Sequence, residues 1–360
     1  MAAIPPPSLT TAGQVAVREA WLALTREEIL LPGLPIVDPH HHLWDRDGER
    51  YLLEELLRDA GSGHDIRATV FVQCAAFYRS DGPEALRPLG ETEFVNGIGA
   101  MAAGSRYGAT RACAGIVGFA DLTLGDRVGP VLDAHYAAAG ARFRGVRNRT
   151  AWHPSPEVRS NLITPPPGPL EDPRFVDGAR QLASRGLVLD VWAYQTQLGH
   201  VAALARAVPD LTVVVNHCGG PLGVGPFAGK RDEGYAPWRA AMQDLATLPN
   251  VVVKLGGLAM QVAGFDFHLL SSPPSSAAMA DCWRPYVAPL VEAFGARRCM
   301  FESNYPVDKG MAGYAVLWNA FKRLAEGASE AERGALFAGT ATRVYRLDEA
   351  PGCAGLAALK

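Results

Sequence analysis

The sequence Ile-Val-Asp-Pro-His-His-His-Leu-Trp occupies residues 36–44 and places three consecutive histidines behind two β-branched residues. Such an apolar entry is typical of a buried β-strand. Side chains alternate between the faces of a strand, so we expect Asp38, His40 and His42 on one face and His41 on the other. Two imidazoles separated by one residue can converge on one metal ion or one substrate group. The stretch therefore favours a functional site over a histidine-rich turn.

Length and composition limit the possible functions. The chain has 360 residues, enough for one large α/β barrel or for two ordinary domains. Hydrophobic residues make up 48% and charged residues 20%, which is typical of a soluble globular protein. A net charge of -3 without a basic cluster argues against nucleic acid and membrane surfaces as partners, and it favours a small-molecule substrate. The composition does not decide whether the protein forms a homo-oligomer.

Cysteine usage and the N-terminal sequence bear on the compartment. Six cysteines are present, and none of them are paired in a C-x-x-C motif. This pattern indicates reduced thiols. Neither a secretory signal nor an apolar run long enough to span a membrane is evident. We therefore expect a cytoplasmic protein.

Apolar strand patterns alternate with helical patterns along most of the chain. The predicted strands cover residues 36–43, 68–74, 114–122, 141–148, 187–193, 211–218, 251–255 and 298–303. This alternation predicts an α/β protein with a (β/α)8 TIM barrel at residues 35–347. An open doubly wound sheet is the competitor, but no G-x-G-x-x-G motif follows the first strand. Residues 1–34 are expected to form a mobile arm (1–13) and a helix (14–31) that caps the lower end of the barrel, and 348–360 a C-terminal tail.

Reactive side chains follow the predicted strands at their carboxyl ends. Active sites of TIM barrels lie at this end, and buried polar groups there are costly unless they pair or bind something. We therefore regard the strand-end residues as site candidates. They are His40 and His42, Gln73 or Cys74, Asp121, Arg147, Asp190 with Trp192, His217, Lys254, and Glu302 with Asn304.

Several of these candidates have a structural alternative. Arg147 suits bidentate capture of a carboxylate or of a polarised carbonyl, and it is equally suited to an internal ion pair. Asp190 is expected to orient Arg147 from the adjacent strand, and Trp192 to pack or to line the pocket. Lys254 either pairs with Glu302 on the neighbouring strand or supplies positive charge to an oxyanion.

Five motifs occur in the order of a known family. They are Asp38-Pro-His-His-His-Leu-Trp44, Phe143-Arg-Gly-Val-Arg147, Asn216-His-Cys-Gly-Gly-Pro221, Val253-Lys-Leu-Gly-Gly257 and Met300-Phe-Glu-Ser-Asn-Tyr-Pro-Val-Asp308. With them the chain resembles the amidohydrolase-2 family, in the branch of sugar lactonases and 2-pyrone-4,6-dicarboxylate hydrolases. The resemblance implies a distorted (β/α)8 barrel and hydrolysis of a lactone by water. It also implies that His40, His42 and His217 surround a bound metal ion, or, in members of the family without a metal, line a catalytic pocket that holds no ion.

The last motif departs from the family pattern. Asn304 stands where the family has an aspartate that serves as metal ligand and general base. An amide cannot accept a proton at neutral pH, although its oxygen can ligate a metal or orient water. Glu302 lies on the same strand face and is the first candidate for the replacement carboxylate, unless Lys254 neutralises it; Asp308, past the turn, is a weaker candidate. We therefore expect at most one divalent ion, zinc, held by His40, His42, His217 and Glu302.

The resulting hypothesis is a metal-assisted, lactonase-like hydrolase. The catalytic residues are Glu302, Asn304, His217 and Lys254, and the substrate-binding residues are Arg147, Trp192, Gln73 and Asp190. A metal-dependent decarboxylase of an aromatic or unsaturated acid is the first alternative. A barrel that binds a ligand without turnover is the second.

Overall fold

The computed structural model describes residues 5–10, 13–46 and 48–360. In this part of the chain, eight parallel strands form one sheet in the order β1-β4-β5-β6-β7-β8-β9-β10. Their bounds are β1 Pro35–His41, β4 Asp65–Val72, β5 Arg111–Gly118, β6 Phe143–Arg149, β7 Val188–Trp192, β8 Val213–Val215, β9 Val251–Leu255 and β10 Cys299–Phe301. Each predicted strand is present, so the TIM-barrel prediction is confirmed. A small antiparallel hairpin after β1, which the sequence patterns did not predict, is formed by β2 Trp44–Arg46 and β3 Glu49–Tyr51.

Helices lie between the strands and cover the outside of the barrel. They are α1 Glu19–Leu22, α2 Leu53–Ala60, α3 Leu89–Ala103, α4 Gly129–Ala139, α5 Pro173–Ala183, α6 Leu198–Ala207, α7 Arg231–Ala246, α8 Ser276–Phe294, α9 Tyr314–Leu324, α10 Glu330–Gly334 and α11 Thr340–Val344. Within the described residues, none of these helices combines the length and the apolar character that crossing a bilayer requires.

The barrel interior is filled by alternate strand side chains and closed by the C-terminal residues. Val37, Val70 and Val214 belong to an interior cluster that also includes Leu347 and Leu356. The tail after α11 therefore packs into the barrel core. Full burial of such a side chain contributes roughly 1.5–3 kcal/mol.

The first and last strands meet at the carboxyl end of the barrel. The Asn304 amide donates to His40 O at 2.9 Å, and the His42 amide donates to Tyr305 O at 2.7 Å. These two bonds join the histidine stretch to the segment after β10. They bring the two motifs that are farthest apart in the sequence to one edge of the barrel.

The N-terminal helix prediction is wrong in extent and position. Only Glu19–Leu22 is helical. The polar groups of this segment bond instead to the loop after β9: Arg18 donates to His268 O, and Trp21 Nε1 donates to Leu270 O at 3.0 Å. That loop is at the carboxyl end of the strands, so the segment does not cap the lower end. Of the predicted arm, residues 1–4, 11 and 12 lie outside the described residues.

The alternation predicted for β1 is interrupted by a bulge. The pairing of β1 with β4 shifts register between Asp38 and His41. The Asp38 carboxylate accepts from Tyr314 Oη at 2.9 Å and from the Ser303 amide at 3.0 Å. An extra residue in one strand reverses the facing of the residues after the bulge. The expectation that Asp38 shares a face with His40 is therefore wrong: Asp38 bonds to Tyr314, whereas His40 Nδ1 lies 2.6 Å from Glu302 Oε2.

Candidate active site

Glu302 joins two histidines from different strands at the carboxyl end of the barrel. Its Oε1 accepts from His217 Nδ1 at 2.7 Å and from the His217 amide at 3.1 Å. Its Oε2 lies 2.6 Å from His40 Nδ1. That oxygen is buried and makes no hydrogen bond of good geometry. The three side chains are at most 2% exposed, so they form one dry cluster.

Two glycines after β9 leave the space that this cluster occupies. A Cβ on Gly256 would lie 2.5 Å from Glu302 Cγ, and one on Gly257 would lie 2.4 Å from His217 Nδ1. Gly257 also has a φ of +65°, which other residues rarely adopt. The two glycines of the Lys-Leu-Gly-Gly motif are therefore required by the close packing of Glu302 and His217 against the residues after β9.

Burial keeps these histidines neutral. Desolvation, followed by the charge of Lys254, holds the pKa of His40 well below its ordinary value. The pKa of His217 is also lowered by desolvation, although Glu302 opposes this shift. Neutral His217 donates a hydrogen bond from its Nδ1–H to Glu302, so Nε2 keeps its lone pair; the His217 side chain lines the cavity at the barrel mouth.

His42 lies beside the cluster and is fixed separately. Its Nδ1 bonds to Val72 O at 2.7 Å, so its Nε2 carries the lone pair. Its ring is 5.0 Å from that of His40 and lines the cavity. It is not part of the group of possible ligand atoms formed by His40, His217 and Glu302. Its role as a metal ligand stays a prediction.

Lys254 and Asp190 form a buried ion pair under the cluster. Lys254 Nζ lies 2.7 Å from Asp190 Oδ1 and donates to Pro39 O at 2.9 Å. Asp190 also accepts from Asn216 Nδ2 at 2.8 Å and from Tyr345 Oη at 2.9 Å. The alternative in which Lys254 pairs with Glu302 is therefore wrong, and so is the prediction that Asp190 orients Arg147. Lys254 Nζ is 3.3 Å from His40 Nδ1, so the ammonium group of the pair contacts the cluster.

Arg147 lies on the other side of His40. Its Nη1 is 3.2 Å from His40 Nε2, and its Nη2 donates to Gln73 O. Gln73 thus contributes a backbone carbonyl, whereas its side-chain Oε1 is buried without a hydrogen-bond partner. Because Arg147 makes neutral contacts and lines the cavity, its charge is available to a ligand.

Asn304 is held by a second buried acid. Its Nδ2 donates to Asp308 Oδ1 at 2.7 Å, and Asp308 Oδ2 accepts from the Ala259 amide at 3.3 Å. Burial raises the pKa of Asp308 well above its ordinary value. Because Nδ2 donates to Asp308, Asn304 Oδ1 is directed away from Asp308 and remains a free acceptor group of a side chain that lines the cavity.

The cavity at the mouth is small and lined by residues from several loops. Its volume is about 60 Å³, and it opens to solvent. Trp192 lines it with its ring 4.6 Å from that of His217, and its Nε1 donates to Ser160. The other lining residues are Gln14, Trp44, Arg46, Ser160, Asn161, Leu162, Met260 and Val307. Trp44 ends the histidine stretch, and Ser160, Asn161, Leu162 and Met260 lie in loops after strands, where TIM barrels place their pocket walls. Gln14, Arg46 and Val307 were not identified from the sequence.

The donor set of the cluster fits a divalent metal ion. The ligand atoms of His40, His217 and Glu302 lie within 4.8 Å of one another, and all three side chains are buried. Two imidazoles and a carboxylate are ligands that zinc takes in catalytic sites, where a further position is left open to water. The carboxylate oxygen without a hydrogen bond is consistent with such a use.

The chain is similar to known proteins in sequence and in fold. The amidohydrolase family model Amidohydro_2 matches residues 37–347. The uncharacterized protein y4mH of Sinorhizobium fredii is 33% identical over 87% of this chain and 99% of its own length. An L-fucono-1,5-lactonase of Burkholderia multivorans is 29% identical over 87% of this chain and 96% of its own. A Burkholderia multivorans amidohydrolase structure with bound zinc is 27% identical, with a TM-score of 0.66 over 87% of this chain and 99% of that one. The chain belongs to the amidohydrolase family.

Proposed function

We propose that the protein hydrolyses the lactone of a small organic acid. The observation that carries the proposal is the buried cluster of His40, His217 and Glu302 beside Arg147 at the barrel mouth. Ester hydrolysis needs a proton acceptor for water and positive charge at the carbonyl oxygen, and the cluster supplies both. The similarity to L-fucono-1,5-lactonases, at 27–29% identity, supports sugar-acid lactones as the first class to test.

The proton of the attacking water passes to the pair formed by His217 and Glu302. The short contact between His217 Nδ1 and Glu302 Oε1 fixes the imidazole and stabilises positive charge that develops on it. General-base catalysis of this kind typically contributes about 10²–10⁴-fold in rate. Asn304 Oδ1 accepts a hydrogen bond from water or from a substrate hydroxyl, since its amide nitrogen is held by Asp308.

Arg147 and Lys254 stabilise the negative charge of the tetrahedral intermediate. Arg147 lines the cavity and retains donors that neither Gln73 nor His40 uses. Lys254 acts from below through His40, which it approaches at 3.3 Å. A donor that contacts the developing oxyanion, the role proposed for Arg147, is worth roughly 3 kcal/mol of barrier.

In a metal-assisted form of the proposal, His40, His217 and Glu302 would hold one zinc ion, and His217 and Glu302 would then serve as ligands and not as the proton acceptor. When bound, it supplies a Lewis acid for the carbonyl oxygen and lowers the pKa of a water ligand. The residues around it keep their tasks: Arg147 orients the substrate, and His42 presents Nε2 to the cavity.

The test is to incubate the protein with 1,4- and 1,5-lactones of six-carbon sugar acids and to monitor hydrolysis by the release of acid. The metal content is measured on the same preparation. Parallel reactions with aromatic carboxylic acids are assayed for carbon dioxide. His217→Asn should lower the rate of lactone opening by at least about 100-fold. The matched control is His200→Asn, because His200 is half exposed on α6.

The outcomes separate the alternatives. Lactone opening that His217→Asn abolishes and His200→Asn preserves supports the proposal. Release of carbon dioxide without lactone opening would contradict the hydrolase proposal and indicate a decarboxylase. Tight binding of an intact lactone without turnover would replace it by a binding protein.

A further inference from the structure

The segment before β1 supplies part of the wall of the cavity at the barrel mouth. Gln14 lines this cavity, and it also lines a second cavity between the segment and the β2–β3 hairpin. The family model matches residues 37–347, so Gln14 lies outside the part of the chain that the model covers. What Gln14 adds to the site is therefore a property of this chain, and membership of the family does not imply it.

Hydrogen bonds within the segment fix the backbone at Gln14. The Thr10 amide donates to Gln14 O at 2.7 Å, and the Gln14 amide donates to Thr10 Oγ1 at 3.3 Å. Leu9 and Val15, on either side of these bonds, pair in an antiparallel bridge. The backbone groups of Gln14 are thus satisfied, whereas its half-buried side-chain amide makes no hydrogen bond to any of the described residues.

Further contacts fix the same segment to the loops around the mouth. Glu19 Oε1 lies 3.0 Å from Lys309 Nζ, and Val15 O packs so closely on Gly310 that a Cβ there would clash with it. These residues of the segment therefore contact the loop after β10, in addition to its two bonds to the loop after β9. Because the backbone is already ordered, a ligand that contacts Gln14 has only the entropy of that side chain to overcome.

We propose that Gln14 is a specificity-determining residue that binds a hydroxyl group of the substrate with its side-chain amide. An amide side chain both donates and accepts hydrogen bonds, as a hydroxyl group does, so the two match without any change of charge. A ligand that fills the cavity also removes water from this amide, and leaving the amide unpaired would cost free energy. The inference rests on the proposed function for the reaction, but its binding step requires no turnover.

The experiment compares lactones that differ in their hydroxyl groups. D-galactono-1,4-lactone carries hydroxyl groups on its ring and side chain, whereas γ-butyrolactone has the same ring and none. KM and kcat for both are measured with the wild type, Gln14→Met, Gln14→Glu and Gln243→Met. Methionine keeps the length of glutamine but forms only weak hydrogen bonds. Gln243 is the matched control, because it is exposed on α7 and does not line the cavity. Thermal unfolding of each variant checks that the fold is intact.

We expect Gln14→Met to raise KM for D-galactono-1,4-lactone about 3- to 10-fold, since one hydrogen bond contributes that factor. Because Gln14 binds the substrate and the transition state equally, kcat should stay at the wild-type value. Gln14→Glu, which keeps an acceptor, should retain part of the affinity, and KM for γ-butyrolactone should be the same in all four proteins. An unchanged KM for D-galactono-1,4-lactone in Gln14→Met, or an equal rise for both lactones, would overturn the inference.

Binding measurements separate this inference from the proposed function. Calorimetry with the same proteins compares D-galactonate with hexanoate, an acid of the same number of carbons that carries no hydroxyl group. If neither lactone is hydrolysed, but the wild type prefers D-galactonate and Gln14→Met loses that preference, the hydrolase proposal fails and the hydroxyl contact stands. If D-galactono-1,4-lactone is hydrolysed and Gln14→Met leaves its KM unchanged, the contact fails and the hydrolase stands. A wild type that hydrolyses neither lactone and shows no preference for D-galactonate would overturn both.

Discussion

Gly257→Ala is expected to inactivate the protein without unfolding it. The new methyl group would lie 2.4 Å from His217 Nδ1 and 2.5 Å from its Cγ. An ordinary contact is about 3.5 Å, so His217 must move by about 1 Å away from Glu302. Misplacement by 1 Å at a catalytic group costs roughly 100-fold in rate. The backbone φ of +65° adds about 1–2 kcal/mol of strain for alanine.

The assay is kcat for a lactone that the wild type hydrolyses, together with the free energy of unfolding in urea. Overpacking and strain together should lower that free energy by about 2–4 kcal/mol. Gly229→Ala is the control, because Gly229 has a φ of +70° and no atom within 4 Å of the added methyl group. It carries the backbone strain without the clash. A folded Gly257→Ala protein with kcat within a few-fold of wild type would refute the packing argument.

Three further predictions concern the surroundings of the site. Tyr345→Phe removes the hydroxyl that bonds to Asp190 at 2.9 Å, and it should lower the free energy of unfolding by about 2 kcal/mol, measured in urea. Burial lowers the pKa of His135 to about 4. Between pH 6.5 and pH 4 the unfolded chain therefore binds more protons than the folded one, so the free energy of unfolding should decrease as the pH is lowered. Urea titrations at pH 7 and pH 4.5 should show a smaller drop for His135→Gln than for wild type, by up to about 3 kcal/mol, and equal drops would contradict the assignment. A methyl group on Gly310 would lie 2.2 Å from Val15 O, so Gly310→Ala should displace the N-terminal segment from the cavity rim and change KM more than kcat; unchanged KM would contradict this.

Sequence patterns predicted the barrel because each strand is a short β-branched run whose polar residues lie at its carboxyl end. Closing eight such strands brings these ends together whatever the details of packing, so the meeting of His40, His217 and Glu302 followed from topology alone. The same spacing predicted Arg147 and Lys254, which lie 3.2 Å and 3.3 Å from ring nitrogens of His40; their roles stay predictions.

The partners that depend on strand register could not be predicted from the sequence. Lys254 pairs with Asp190 and not with Glu302, because the relative heights of side chains inside a barrel depend on the stagger of its strands. The bulge in β1 turns Asp38 toward Tyr314; Pro39 inside the strand is a local sign of a bulge, but it does not predict the new partner. The N-terminal segment has a helical pattern, but the bond from Trp21 to Leu270 O fixes it to a loop about 250 residues away, so tertiary contacts override propensity.

The most direct test of the catalytic assignment is kcat of Glu302→Gln. Glutamine keeps the size of the side chain, but it removes the charge that holds His217 Nδ1 at 2.7 Å and lies 2.6 Å from His40. We predict a folded protein whose lactone hydrolysis is at least about 100-fold slower than that of the wild type. A Glu302→Gln protein that opens the lactone at the wild-type rate would contradict the assignment of this cluster as the catalytic centre.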